Sequence, residues 1–191
     1  MLTKNFFRNG FIFLLFFVST SAYTNEPSTH CTNWSKWFKP ACLRLRQIWT
    51  EGKPELYLSG YAWHNRYTYS RERLKKYNEL AWGGGLGKGV IDEKGNWHGL
   101  YAFAFLESHK KIEPIAGYAY LKMFTLNAAL QPGIGITAFL TARPDINNYI
   151  PFPGILPVAS LMVNRFTLAA TYIPGRHDIG NVLFLFAKYT F

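Results

Sequence analysis

Cysteine, acidic side chains and long apolar runs are what this 191-residue sequence has least of. Its two cysteines, Cys31 and Cys42, exclude a disulfide-dense scaffold and the repeated Cys/His spacing of a structural zinc site. They leave room for one disulfide across a short loop, provided the chain reaches an oxidising compartment, and Pro40 between them interrupts a continuous helix so that the two can approach. The apolar run FIFLLFFV at 11–18 follows Lys4 and Arg8 and precedes Ser19, Thr20, Ser21 and Ala22. A basic start, a short apolar centre and an Ala-ended site read as a secretory signal peptide spanning 1–22. Beyond it no stretch offers the ~20 consecutive apolar residues of a transmembrane helix, so the exported chain is expected to have none.

Acids number 11 against 21 Lys and Arg, a formal charge of +10. Removing residues 1–22 takes Lys4 and Arg8 and no acid, leaving 19 basic and 11 acidic residues, a formal +8. Such a surplus favours an anionic partner, nucleic acid or a phosphate-bearing lipid surface. Export selects the lipid surface, and no nucleic-acid partner is expected.

Aromatic residues are abundant, at 18%. In WSKWFKPACLRLRQIW at 34–49, apolar side chains recur at steps of three and four with Lys36, Lys39, Arg44 and Arg46 mostly between them. The spacing predicts a short amphipathic helix kinked at Pro40, of the kind that lies in a membrane interface or caps a core. It belongs to a periplasmic segment, 23–54. From residue 55 the period changes to two. Strands are predicted at 55–69, 80–91, 97–108, 113–126, 132–143, 155–164, 165–174 and 181–191, separated by turn sequences such as DEKGN at 92–96 and HDIGN at 177–181.

Eight strands over 55–191 suit a sandwich, a soluble lipocalin-type barrel or a small transmembrane barrel. Strands of 10 to 12 residues at a tilt of ~45° favour the last. In 97–108, Trp97, Tyr101, Phe103 and Phe105 form a bulky face, while Ala102, Ala104 and their neighbours form a small, mostly apolar one. Gly and Ala in WGGGLGKG at 82–89 and GIGITA at 133–138 leave interior room, and the small face is expected to line a greasy cavity. The last strand ends on Phe191 after Leu183, Leu185, Ala187 and Tyr189 at every second position, which resembles the terminal signal of Gram-negative outer-membrane barrels. The expected fold class is therefore all-β: an eight-stranded antiparallel transmembrane β-barrel preceded by a short amphipathic helix.

With both termini periplasmic, the basic loop SRERLKKYNE at 70–79 is external, and His64, Arg66, Glu107, Ser108 and Arg143 gather at the outer rim. Imidazole, carboxylate and hydroxyl are the groups that acyl transfer needs, as base, orienting acid and nucleophile or positioning group. Glu107 and Ser108 converge only if their strand ends or bends there, because neighbours in a regular strand face opposite ways.

The segments WHNRYTY at 63–69, YNELAWGGGLG at 77–87, DEKGNWHGLYAFAF at 92–105, EPIAGYAY at 113–120, NYIPFPGILPVAS at 148–160 and TYIPG at 171–175 together resemble the lipid A palmitoyltransferase family, PagP. The resemblance runs from about Trp34 to Phe191. It implies an outer-membrane barrel that moves an acyl chain, typically palmitate, from the sn-1 position of a phospholipid donor to a hydroxyacyl chain of the lipid A acceptor, releasing a lysophospholipid. It implies no metal and no cofactor. The family's catalytic histidine, acid and serine match His64, Glu107 and Ser108, with Glu107 standing where Asp is common. Arg73 matches a basic residue implicated in lipopolysaccharide recognition. Pro157 and Pro174 match one of two lateral lipid openings, while the other opening's positions are Ser59 and Ala81. His177 stands where a tyrosine is associated with phospholipid gating. Ala119 matches the glycine that can floor the acyl pocket, so the preferred chain is expected to be palmitate or somewhat shorter. A monomer is expected. A non-catalytic barrel acting as a lipid-binding protein, adhesin or channel would share the fold and export signals but not the chemistry.

Overall fold

Inside a lipid layer an unpaired strand edge is costly, and the eight strands here close on themselves in a computed structural model that describes residues 31–127 and 129–191. The expected signal peptide lies outside the described residues. The leading helix and barrel form one compact unit, Trp34–Phe191. The strands are β1 (Lys53–His64), β2 (Gly83–Ile91), β3 (Trp97–Leu106), β4 (Ile112–Met123), β5 (Leu130–Thr141), β6 (Phe152–Val163), β7 (Phe166–Ile173) and β8 (Val182–Thr190). Each pairs antiparallel with its neighbours in sequence, and β1 with β8 closes the ring from Glu55↔Thr190 to His64↔Val182. The connections 65–82, 107–111, 142–151 and 174–181, which include the three longest, lie at one rim, and 92–96, 124–129 and 164–165 at the other.

Helix α1 spans Lys39–Glu51. It starts later than the predicted 34–49 and is not kinked, because Pro40 falls in its first turn, where a missing N–H breaks no helical bond. Ile48 is its buried anchor, and Trp37, Phe38 and Trp49 remain exposed. Lys88 ties the helix to β2 by donating to the Trp49 carbonyl at 2.6 Å. Neither cysteine is free; both are disulfide-bonded.

The two faces of the wall are sorted by period two. Leu58, Leu86, Ile134, Ile136, Leu140, Ile155 and Leu168 point outward and are exposed, an apolar belt suited to lipid. Twelve-residue strands at a tilt of ~45° span roughly 28 Å, about the hydrocarbon thickness. No helix among the described residues is long and apolar enough to cross a membrane.

The interior reverses one expectation. In β3 it is the aromatic face, Trp97, Tyr101, Phe103 and Phe105, that lines the cavity, while Ala102, Ala104 and Leu106 lie on the outward face. The reason lies in β2, whose inward positions are glycines. A Cβ on Gly85 would lie 2.2 Å from Phe103 Cβ, and one on Gly87 2.7 Å from the Tyr57 ring, so bare backbone makes room for the rings. On β5 a Cβ on Gly133 would lie 2.7 Å from Met123 Sδ and from Ser160 Oγ, and one on Gly135 3.0 Å from Leu121 Cα, while Ile134 and Ile136 turn outward. What remains is an apolar cavity of about 90 Å³ with Phe105, Ile115, Ile173 and Phe184 toward the long-loop rim and Trp97, Ala119, Leu121 and Val158 toward the opposite end.

Below that apolar end the interior turns polar. Glu55 and Lys188, both nearly fully buried, form an ion pair at 2.6 Å. Glu55 also accepts hydrogen bonds from Trp97 Nε1 (3.1 Å), Tyr57 Oη (2.9 Å) and Thr190 Oγ1 (3.2 Å), and Lys188 Nζ stands 3.8 Å over the Trp97 ring. A buried pair so fully bonded is expensive to break by removing one member, because the other charge is stranded. Glu55→Ala is expected to lower the unfolding free energy in detergent micelles by about 3–5 kcal/mol, with Glu55→Gln intermediate, as read from urea unfolding.

Candidate active site

Strand β1 stops at His64, five residues short of the predicted end, because Asn65 starts a turn. Its side-chain oxygen accepts the Tyr67 N–H at 2.9 Å and its carbonyl accepts those of Thr68 (3.1 Å) and Tyr69 (3.2 Å). Earlier in the strand, Glu55, Tyr57 and Ser59 face inward; a bulge between Ser59 and Tyr61 shifts the register against β8, and Ala62 and His64 then face inward. Without that extra residue the alternation would turn His64 outward. His64 is 1% exposed, packed against the rings of Tyr69 and Tyr77 at centroid distances of 5.2 and 5.0 Å.

Ser108 lies two residues past the end of β3, where its carbonyl accepts the Asn78 N–H at 2.8 Å. Its hydroxyl is 3.0 Å from His64 Nε2. The strand's end is what lets Glu107 and Ser108 occupy one neighbourhood. Glu107, however, does not meet His64. Its carboxylate accepts the backbone N–H groups of His109 (2.9 Å) and Lys111 (3.2 Å), and contacts His109 Nδ1 at 2.9 Å and the Arg143 guanidinium at 3.5 Å. Together with its backbone bonds to Lys110 and Lys111, these contacts make Glu107 the clasp of the β3–β4 turn.

The carboxylate beside His64 is Glu79. Glu79 Oε1 accepts the His64 backbone N–H at 3.1 Å and lies 3.4 Å from His64 Nδ1. Glu79 Oε2 accepts from Arg66 at 2.6 Å and from the Tyr61 hydroxyl at 3.1 Å. Burial by itself would push this carboxyl up, but hydrogen bonds from Arg66, the His64 N–H and Tyr61 hold it down at about 2. The residue stands in the YNELAW motif, yet sequence gave it no distinction from Glu72 in the same basic loop.

Arg143 links Glu107, Glu113 (3.6 Å) and Asp145 (2.9 Å) beside the cavity's outer end. Glu107, His109 and Asp145 bring ligand-type atoms within 4.8 Å of one another, but the guanidinium among them opposes a cation. Arg73 donates to the Asp178 carbonyl at 3.1 Å, with its Nε 3.9 Å from the Asp178 carboxylate, and His177 Nδ1 is 3.3 Å from that carboxylate. Asp178 also accepts the Ser70 N–H at 2.8 Å, so the 65–82 and 174–181 connections are tied across the rim.

Two ladders end early on this side. The β6–β7 ladder reaches Val158↔Thr171, leaving Phe152–Pro157 paired only with β5, with Pro174 just past β7. The β1–β2 ladder reaches Ser59↔Gly83. A hydroxyl spans each break: Thr171 Oγ1 donates to the Pro157 carbonyl and Ser59 Oγ to that of Ala81, both at 2.7 Å. Ala119 is buried and faces inward with Trp97, Leu121, Val158 and Ala169.

An eight-stranded barrel with an apolar belt, an apolar cavity and a buried histidine on a serine hydroxyl at one rim belongs to the class of membrane β-barrels equipped for acyl chemistry. Residues 44–188 match the family described as "Antimicrobial peptide resistance and lipid A acylation protein PagP", and the chain belongs to that family. It is 58% identical over 170 residues to a "Lipid A acyltransferase PagP" of Legionella longbeachae serogroup 1 (strain NSW150), covering 88% of this chain and 73% of that protein. It is 53% identical over 175 residues to the protein of that name from Legionella pneumophila strain Philadelphia 1 (90% and 92% covered), and 55% identical over 161 residues to one from Bordetella parapertussis strain 12822 (84% and 88%). Family and fold point to an outer-membrane protein.

Because Glu79 sits lower in the folded protein than an ordinary carboxylate near 4.5, its contribution to stability is present above pH 4.5 and is lost as pH falls toward about 2. Urea midpoints of the micellar protein should decline across that window, and Glu79→Gln should flatten the decline.

Proposed function

We propose that this protein transfers an acyl chain from the sn-1 position of a phospholipid to a hydroxyacyl chain of lipid A in the outer membrane, releasing a lysophospholipid, after export directed by residues 1–22. The observation that carries the reading is the 3.0 Å contact between buried His64 Nε2 and Ser108 Oγ at the rim of an apolar cavity. The imidazole takes the proton of an attacking hydroxyl and returns it to the departing glycerol oxygen. Two orders of events use the same pair. Ser108 can attack the ester first and pass the acyl group on, or the lipid A hydroxyl can attack directly while Ser108 orients it. Glu107 serves by holding the turn that carries Ser108.

The rim supplies recognition. Arg73 is half exposed beside Asp178 and suits a lipid A phosphate, while His177 stands free of the wall where a headgroup would pass. The break between β6 and β7, bounded by Pro157 and Pro174, is the proposed lateral path for the donor chain, since proline gives no N–H to a ladder. A chain entering the cavity runs down toward Ala119. We assign this protein as a monomer needing no cofactor.

Expression in cells with unmodified lipid A, followed by mass spectrometry of that lipid, tests the reading. The wild type should add one acyl chain and His64→Ala should add none; inserted wild type that adds none would mean a barrel that binds lipid without chemistry. Ala119→Gly should shift the preferred donor to longer chains in assays with donors of graded length. Each methylene that gains room is worth about 0.8 kcal/mol, roughly fourfold in kcat/KM. An unchanged profile would remove Ala119 from the floor.

A further inference from the structure

We propose that Glu79 is the positioning residue of the reaction: its carboxylate, not that of Glu107, sets the tautomer and orientation of His64. The inference rests on the acyl-transfer reading above and adds to it a member carried by the 65–82 connection.

Three observations converge. The first is direction. Glu79 Oε1 lies on the Nδ1 side of the imidazole and Ser108 Oγ on the Nε2 side, at 3.4 and 3.0 Å. A ring that donates Nδ1–H to Glu79 must present its Nε2 lone pair to Ser108, which is the tautomer a base needs. The opposite tautomer would point a hydrogen at the hydroxyl and face a lone pair to a carboxylate. The Nδ1 contact is long, as such contacts are before substrate tightens the site.

The second is immobilisation. Three donors, the Arg66 guanidinium, the Tyr61 hydroxyl and the His64 backbone N–H, hold the Glu79 carboxylate. The His64 N–H and imidazole meet the same Oε1, so the acid fixes both the backbone and the ring of one residue. Its backbone is placed with equal care: the Glu79 carbonyl accepts the N–H groups of Ala62 (2.9 Å) and Ala81 (3.1 Å), standing in for rungs that the β1–β2 ladder lacks beyond Ser59↔Gly83. Held ionised well below neutrality, Glu79 offers a standing negative charge to the imidazolium that forms when His64 takes a proton.

The third is exclusion. Both Glu107 oxygens are engaged with its own turn, His109 and Arg143, and none of its contacts reaches His64. The rings packed against His64, those of Tyr69 and Tyr77, present it with aromatic edges and faces and no carboxylate.

The test uses the full barrel in detergent micelles with a palmitoyl phospholipid donor and lipid A acceptor, comparing wild type, Glu79→Gln, Glu79→Asp and Glu107→Gln. Insertion is verified by heat-modifiable gel mobility. Glu79→Gln should lower kcat by about 10²-fold or more with KM within about twofold, because the acid acts on the base and not on substrate binding. Glu79→Asp, which keeps the charge, should recover part of the loss. ¹⁵N NMR of labelled histidine, with the His64 signal assigned from His64→Ala, reads the tautomer without turnover. Nδ1 should carry the proton in wild type, Glu79→Asp and Glu107→Gln, and lose that preference in Glu79→Gln. Glu79→Gln that keeps kcat within about threefold, or an unchanged tautomer, overturns the assignment. An inactive wild type would defeat the acyl-transfer reading instead, and the NMR arm would still decide for or against Glu79.

Discussion

Everything in this molecule follows from the need to leave no backbone N–H or carbonyl unpaired where water is absent. The β1–β8 closure, running from Glu55↔Thr190 to His64↔Val182, meets that need and turns eight strands into a wall. Closure then dictates the sorting of side chains. Leu86 and Ile155 face outward because lipid accepts them, and the rings of Tyr57, Phe103 and Phe105 face inward because glycines on β2 give them space. Where the ladders stop short, at Ser59↔Gly83 and Val158↔Thr171, hydroxyls of Ser59 and Thr171 take over single carbonyls, so the wall is interrupted without being left wholly unsatisfied.

The site is built at the place where strict alternation is broken. A strand of period two carrying Glu55, Tyr57 and Ser59 inward would send His64 to the lipid; one bulged residue at Gly60 returns it to the interior. There the aromatic rings of Tyr69 and Tyr77 enclose it, and residues from two separate connections, Glu79 and Ser108, reach its two nitrogens. The rim is stiffened by bonds that cross it, from Ser70 and Arg73 to Asp178 and from Asn65 N–H to the Asn181 carbonyl at 3.0 Å. Surface charge pairs of this kind add little stability singly, and their effect here is to fix loop positions.

Much of this was legible in the residues. Alternation and turn chemistry located the eight strands, with ends misplaced where local side-chain bonds, such as those of Asn65, stop a strand that its aromatic content would extend. Pro40 was legible as a break and turned out to be a start, since proline is tolerated in the first turn of a helix. Which face of β3 turns inward was not legible, because aromatic residues suit both a bilayer and a core; the answer depended on the glycines of β2 in the register Gly85↔Phe103. The carboxylate beside His64 escaped as well. Glu107 is adjacent to Ser108 in sequence, but adjacency says nothing about which side of the imidazole an acid occupies.

The sequence by itself determined the class of fold and two of the residues that meet at the rim, His64 and Ser108. These properties are carried by composition and period, which survive without knowledge of neighbours. Only the tertiary structure decided that His64 points inward, that Glu79 stands at Nδ1 and that Glu107 clasps a turn. Those facts depend on a bulge, on where ladders end and on which loops cross the rim, and each is a property of chain segments distant in sequence and brought together by closure.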